Sequence, residues 1–258
     1  MSSATLRKSE SVNYGIGDNL CCEAASRQVF IALPAFGQVN TSFTTASLVA
    51  LTRFLTERKQ FGGFAQKSYP DISDLRAIFL TIWFDATKAS HILFVDHDMQ
   101  FEPQLVLDMI DFDKPLVGCL YPKRTFPISW VGSALKGDQI VENGFLKVEG
   151  IGFGVTLISR DCVQAMIDGG HVEIDEDMDS CVAAQSLKEF GCTRMIRAFE
   201  KIILPGRRLS EDFSFCERHR RSGGEVWAAI HHKVTHVGDH GYSARFADNV
   251  DNGTLKLV

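Results

Sequence analysis

Three short, almost wholly apolar segments alternate with helical patterns in the first half of the chain, and this alternation limits the fold more than any other feature. The segments are Val29–Leu33, His91–Val95 and Leu116–Cys119. Apolar runs of this length are typical of strands buried on both faces of a sheet. The order strand, helix, strand, helix, strand predicts an α/β fold with a mostly parallel, Rossmann-like sheet flanked by helices.

Capping residues and apolar spacing set the expected helices. Ser42, Asp71 or Ser73, and Ser210 are the candidate caps, and Pro103 suits a first helical turn. Helices are predicted over 42–59, from 71 or 73 onward, and over 103–111, 160–167 and 210–222. Further strands are predicted over 146–159, 226–230 and 234–237.

The long strand predicted over 146–159 contains glycine at positions 150, 152 and 154. Glycine weakens a strand, so these residues indicate that some other group approaches the backbone closely. A ligand would be such a group. A bulge or tight internal packing is the alternative.

Length, charge and cysteine usage restrict the class of protein. The 258 residues suit one domain over 28–245, with a flexible arm over 1–27 and a tail over 246–258. A formal net charge of -5 argues against general binding of duplex nucleic acid. The 7 cysteines form no C-x-x-C pair, which favours buried, reduced thiols. The longest apolar run, 77–84, is too short to span a membrane, so we expect a cytoplasmic protein, with peripheral membrane contact left open.

Asp96, His97 and Asp98 directly follow the second apolar segment. Ligands of parallel α/β sheets bind beyond the carboxyl ends of the strands, where Pro34 and Ala35 also fall. Two unpaired carboxylates at that place favour a divalent cation, and Mg²⁺ or Mn²⁺ would leave positions open for substrate phosphates. Taken alone, the triplet is more typical of a capped, solvated turn.

Two later features add candidate ligands. Glu211 and Asp212 lie in the first turn of a predicted helix, where favourable contact with the helix dipole explains them adequately. His236 lies between two valines at the end of a predicted strand. Four histidines, at positions 231, 232, 236 and 240, also allow a structural zinc site, although a strand would place 231 on the face opposite 232 and 236.

The segments 92–103, 116–124, 148–162 and 209–238, in this order and spacing, resemble glycosyltransferases of the GT-A fold, in the family-2-like bacterial and viral group. The resemblance extends from Val29 to about Tyr242. It implies a GT-A domain with a small antiparallel second sheet. It also implies transfer of a sugar from a nucleotide-diphosphate donor, with UDP-sugars favoured, to a hydroxyl of a glycan, a lipid-linked saccharide or another acceptor.

The resemblance also implies roles for individual residues. Asp98 matches the metal-binding acid of the Asp-x-Asp motif, Asp96 contacts the donor ribose or the metal, and His236 completes the ligands of Mn²⁺ or Mg²⁺. Asp212, with Glu211 beside it, matches the acceptor-side acid that serves as general base in inverting members. The expected donor-binding residues are Pro34, Ala35, Arg76, Asp96, His97 and Asp98, and the expected acceptor-binding residues are Gly152, Phe153, Gly154 and Trp130. Ala77 replaces the Asn that usually follows Arg76, which weakens the donor role of that arginine.

Three alternatives remain open at this point. A retaining glycosyltransferase would use the same fold. A nucleotidyltransferase would need a glycine-rich, basic phosphate loop after the first strand, and residues 34–37 offer one glycine and no Lys or Arg. A non-catalytic nucleotide-sugar or carbohydrate-binding module would not require a general base.

Overall fold

The computed structural model describes residues 27–35, 41–137, 139–177, 183–238 and 240–248. The helices within these ranges are α1 (Thr41–Glu57), α2 (Ile72–Ala86), α3 (Gln104–Phe112), α4 (Arg160–Asp168), α5 (Ala184–Lys188) and α6 (Glu211–Arg221). The strands of the first half are β1 (Val29–Pro34), β2 (Phe61–Lys67), β3 (His91–Val95), β4 (Met99–Phe101), β5 (Leu116–Cys119), β6 (Tyr121–Pro122) and β7 (Trp130–Ala134). Those of the second half are β8 (Val141–Glu142), β9 (Phe145–Ile151), β10 (Val155–Ser159), β11 (Glu173–Asp175), β12 (Met195–Arg197), β13 (Ile203–Leu204), β14 (Arg207–Arg208), β15 (Val226–Ala229), β16 (Val234–Val237) and β17 (Gly241–Ala244).

A ten-stranded mixed sheet forms the centre, in the order β2-β1-β3-β10-β5-β15-β9-β7-β6 with β8 paired to β9. The α/β class is confirmed, but the prediction of a mostly parallel sheet is wrong. In the described residues, parallel pairing within this sheet is limited to β1 with β2, β1 with β3, and β5 with β15. The antiparallel β10 separates β3 from β5.

Helices cover both faces of this sheet. In β1, Phe30 and Ala32 belong to the core on the side of α2, α4 and α6, whereas Val29, Ile31 and Leu33 belong to the core on the side of α1 and α3. This alternation follows from the two-residue period of a strand. It confirms that the strand is buried on both sides, as its continuous apolar run predicts.

The strand predicted over 146–159 is two strands. β9 ends at Ile151 and β10 begins at Val155. The two strands have different neighbours in the sheet, because β9 pairs with β15 and β7 while β10 pairs with β3 and β5. The three residues between them carry Gly152 and Gly154. Glycine therefore marks the break between two strands.

A small antiparallel sheet with the order β17-β16-β4 lies beside the central sheet. The resemblance predicts such a sheet, although the sequence pattern predicts no strand over 99–101. The packed chain extends past the predicted boundary at 245, because Phe246 and Ala247 are buried. Residues 1–26 of the arm expected over 1–27, and residues 249–258 of the tail expected over 246–258, lie outside the described residues. Four cysteines, at positions 119, 162, 192 and 216, are free and buried, as expected, whereas those at 21, 22 and 181 are outside the described ranges.

Candidate functional site

The antiparallel pairing of β4 with β16 brings the acid triplet and His236 together. The triplet lies between the end of β3 and the start of β4. His236 is opposite Met99 in the ladder, and the amide N of Val237 donates to the carbonyl oxygen of Asp98 at 2.8 Å. As a result, Nε2 of His236 lies 3.4 Å from Oδ2 of Asp98. Residues 138 positions apart in the sequence thus form one site.

The hydrogen bonds of His236 determine which ring nitrogen faces the carboxylate. Nδ1 lies 3.0 Å from the carbonyl oxygen of Pro122, which can only accept, so Nδ1 is the protonated nitrogen. In the neutral ring, Nε2 then directs a lone pair toward Asp98. Burial is the main cause that lowers the pKa of His236, which favours this neutral form. A lone pair and a carboxylate that face each other repel unless a positive charge lies beside them, and the guanidinium of Arg124 forms an ion pair with the same oxygen of Asp98.

One carboxylate oxygen of Asp98 accepts no hydrogen bond from the described residues. Its Oδ1 is buried and has no hydrogen-bond partner among the described residues, whereas Oδ2 faces His236 and the guanidinium of Arg124. A buried carboxylate oxygen without a partner is costly. The donor set of one carboxylate and one imidazole fits Mn²⁺, and the oxygen ligand also fits Mg²⁺.

Asp96 does not join this pair. Its carboxylate oxygens lie 3.0 and 3.3 Å from Nη2 of Arg76. Within the residues described, no three His, Cys, Asp or Glu side chains are grouped as a metal site would need. The structure therefore unites Asp98 and His236 but directs Asp96, the third expected ligand, to an arginine. The zinc site considered from the histidines has no such group in these residues either.

Arg76 holds three carboxylates at the centre of the site. The residue is 2% exposed on α2, and its guanidinium forms ion pairs with Asp96, Glu211 at 3.2 Å, and Asp212. Burial alone would lower the pKa of Arg76, but the three carboxylates outweigh it and raise the pKa above its ordinary value. One positive charge against three negative charges leaves the cluster deficient in cations.

Asp212 is the most strongly perturbed acid of this cluster. Ser210 caps α6 by accepting from the amide of Phe213, which places Asp212 in the first turn. Oδ2 of Asp212 accepts from the amide N of Phe153 at 3.0 Å. Burial, followed by the negative charges of Glu211 and Asp96, raises the pKa of Asp212 to about 7 against the opposing effects of Arg76 and Phe153. A carboxylate with this pKa can accept a proton from a substrate near neutral pH.

The space beside Gly152 and Gly154 is filled by the protein itself. A Cβ atom at Gly152 would lie 2.2 Å from Oη of Tyr121, and one at Gly154 would lie 2.8 Å from a carbon of the same ring. Phe153 is fully buried and packs edge to face on the aromatic ring of Phe215 in the core. Trp130 is 3% exposed and packs on Phe246. All four of these residues are buried, and acceptor binding by them stays a prediction.

The remaining donor candidates lie at the same edge of the sheet as the acids. Pro34 ends β1, which is the neighbour of β3, and Ala35 is buried. The carbonyl oxygen of His97 accepts from Oγ1 of Thr44 in α1 at 2.9 Å. Residues 36–40, which follow Ala35, lie outside the described ranges, so the donor role of this segment remains a prediction.

Two further residues of the site lie in the segment 121–124. The sequence allows this segment to stack on an acceptor ring or contact phosphates, or else to be a surface loop, and it predicts no contact with Asp98 or His236. Tyr121 contacts the ring of His236 edge to face, with 5.4 Å between centroids, and Arg124 contacts Asp98. The contacts of Arg76 with three carboxylates are indicated by the sequence, because Arg76 is a charged residue within the apolar face of α2, between Leu75 and Ala77. A charge at such a position requires buried partners.

Comparisons with known proteins give limited information. No family model and no curated protein matches the chain. Among solved structures, A197 from STIV matches with a TM-score of 0.46 and 15% identity, covering 82% of this chain and 86% of that one. A glycosyltransferase involved in the glycosylation of the major capsid of PBCV-1 matches with a TM-score of 0.32 and 11% identity, covering 63% and 74%. Similarities at this level do not assign a family.

No helix among the described residues has both the length and the apolar character needed to cross a bilayer.

Proposed function

We propose that this protein transfers a sugar from a nucleotide-diphosphate donor, with UDP-sugars favoured, to a hydroxyl of a glycan, lipid-linked saccharide or other acceptor. The observation that carries the proposal is the approach of His236 to Asp98, whose buried Oδ1 lacks a donor. A site of this kind suits a divalent ion, Mn²⁺ or Mg²⁺, together with the diphosphate of a donor. The sequence resemblance to GT-A enzymes supports the same assignment.

Asp98 and His236 would hold the metal, and Arg76 keeps Asp96 and Asp212 in a fixed relation beside it. When bound, the ion would stabilise the negative charge that develops on the leaving diphosphate. The side chain of Asp96 is 26% exposed and is proposed to contact the donor ribose. The chain thus supplies a donor side at Asp96 and Asp98 and an acceptor side at Asp212.

Asp212 is proposed to accept the proton of the acceptor hydroxyl as it attacks the sugar. Its raised pKa makes the carboxylate a stronger base than an ordinary Asp, while a fraction remains ionised at neutral pH. Arg76 and the amide of Phe153 fix the orientation of its two oxygens. Glu211, on the same arginine, is the second candidate for this role.

One base on the acceptor side favours inversion at the anomeric carbon. NMR of the product made with a UDP-α-sugar tests this point, because inversion gives the β-linked product. An α-linked product would assign the retaining alternative and remove the general-base role of Asp212.

A thermal-shift and calorimetry screen of UDP-, GDP- and TDP-sugars, each with and without Mn²⁺, tests the function. We expect at least one nucleotide to raise the melting temperature only when Mn²⁺ is present. If no nucleotide shows this dependence, the proposed function is wrong.

Two variants separate the donor and acceptor roles. Asp98→Ala should abolish the Mn²⁺-dependent shift, whereas Asp212→Asn should retain it and lose sugar transfer by about 10²- to 10⁴-fold. Asp85→Asn is the matched control, because it neutralises an Asp that pairs with a different arginine, Arg194. Equal loss of both functions in the first two variants would contradict the division of roles.

A further inference from the structure

Arg124 directs its guanidinium at the carboxylate that would hold the metal. It forms an ion pair with Oδ2 of Asp98, the same oxygen that lies 3.4 Å from Nε2 of His236. The positive charge that these two groups require is therefore supplied by the protein's own arginine. A divalent ion on Oδ2 of Asp98 would stand next to that guanidinium, and two cations at such a distance repel each other.

The surroundings of Arg124 allow its side chain to move away from Asp98. Its side chain is 43% exposed, in contrast to 3% for Arg76. The segment that carries it, 123–129 between β6 and β7, is closed at its base by a 2.7 Å hydrogen bond from the amide of Lys123 to the carbonyl of Ser129. The segment can therefore keep its shape while the side chain turns.

Gly238 provides the space that Arg124 occupies beside Asp98. A Cβ atom at Gly238 would lie 3.0 Å from Cδ of Arg124, which is closer than ordinary contacts allow. Gly238 follows His236 by two residues. The segment that supplies the imidazole thus also leaves room for the competing guanidinium.

We propose that Arg124 is an exchangeable cation that occupies the metal position at Asp98 and moves to the donor diphosphate when the metal enters. The inference rests on the proposed function, which supplies the metal and the diphosphate. Once Arg124 leaves Asp98, its planar fork of donors suits the oxygens of a diphosphate at the same mouth of the site.

The exchange makes metal and nucleotide bind cooperatively. A metal ion alone must displace Arg124 from Asp98 without giving the guanidinium another anion. A nucleoside diphosphate that arrives with the metal supplies that anion, so each ligand favours the binding of the other. The free protein is thereby protected from holding a metal ion without a donor.

The test measures two affinities in the full-length protein. Mn²⁺ binding without nucleotide is followed by electron paramagnetic resonance of the free ion, and UDP binding at saturating Mn²⁺ is followed by calorimetry. Wild type is compared with Arg124→Ala and Arg124→Gln. Lys123→Ala is the charge-matched control, because it removes one positive charge at the neighbouring position.

Removal of the guanidinium should change the two affinities in opposite directions. Relative to Lys123→Ala, both Arg124 variants should bind Mn²⁺ alone more tightly and bind UDP with Mn²⁺ more weakly. The expected size is that of ordinary coupling between two ligands, about 5- to 150-fold. A purely structural role would weaken both ligands together and would overturn the proposal.

Other outcomes separate this inference from the function on which it rests. If Mn²⁺ affinity is equal in Arg124→Ala and Lys123→Ala while Asp98→Ala still abolishes it, the role of Arg124 is wrong and the proposed function stands. If Mn²⁺ and UDP bind neither wild type nor any variant, the metal site itself is wrong, and the inference falls with it. Tight Mn²⁺ binding that appears only after Arg124 is removed supports the inference directly.

Discussion

Replacing Asp212 with Asn should change how stability depends on pH. Burial raises the pKa of Asp212 from an ordinary 3.8 to about 7 in the folded protein. Between these values the folded state holds a proton that the unfolded state has released, so the stability contributed by Asp212 is lost as pH rises toward 7. At about 1.4 kcal/mol per pKa unit, the whole difference corresponds to about 4 kcal/mol. The side chain is 14% exposed, so water screens little of this effect.

The assay compares urea unfolding of wild type and Asp212→Asn between about pH 5 and pH 8. Asn does not titrate, and the groups that do not contact Asp212 change alike in both proteins. The free energy of unfolding of wild type should therefore fall by about 2 to 3 kcal/mol relative to the variant between pH 5 and 7, and level off above that. A difference that stays flat, or that moves in favour of wild type as pH rises, would refute the argument from burial.

The same pKa should govern the proposed reaction. As a base, Asp212 must be ionised, so kcat/KM for transfer by wild type, which reports the pKa of the free protein, should rise with pH through about 7 and then level off. Glu211→Gln is the matched variant, because it removes a neighbouring negative charge from the same arginine. Loss of that charge lowers the pKa of Asp212, and the rise in rate should move to lower pH. A rise that does not move would show that another group titrates.

Two further predictions concern the ion pairs of Arg76 and the packing around Gly152. Arg76→Met should destabilise the fold by about 3–5 kcal/mol in urea unfolding, because it leaves buried carboxylates without their cation; a loss below about 1 kcal/mol would contradict the role of Arg76. Gly152→Ala should lower stability by about 1–3 kcal/mol, since its methyl group would meet Oη of Tyr121 at 2.2 Å. Gly241→Ala, whose nearest contact would be an ordinary 3.4 Å, serves as control, and equal Tm values for these two glycine variants would exclude the close approach.

The general fold could be predicted from the sequence, but strand pairing could not. The continuous apolar runs of β1, β3 and β5 identify buried strands because burial on both faces removes the alternation of polar residues. The direction of each strand and its neighbours in the sheet depend on contacts between distant segments of the chain, which no local sequence pattern encodes. Thus β10, apolar like the others, is antiparallel between β3 and β5. β2 was missed because Gly62 and Gly63 are more typical of a turn.

The sequence indicates which polar residues lie at the site when they directly follow an apolar strand. It does not indicate which partner each of these side chains contacts. Asp98 and His236 are expected together, and their side chains lie 3.4 Å apart. Spacing alone does not reveal that Asp96 turns to Arg76, since its direction depends on a helix that precedes it in the chain. The glycines show the same limit. Their close approach was expected, but the approaching group is Tyr121.

The charges of the site connect its two arginines with its proposed ligands. Four carboxylates, those of Asp96, Asp98, Glu211 and Asp212, face two guanidiniums, so two negative charges lack a counterpart when all are ionised. The proton held by Asp212 removes one of them near neutral pH. A divalent ion at Asp98 would more than balance the other and would release Arg124 to meet the negative charge of a diphosphate. The excess positive charge would then lower the pKa of Asp212, so that loading the donor side would ionise the base on the acceptor side.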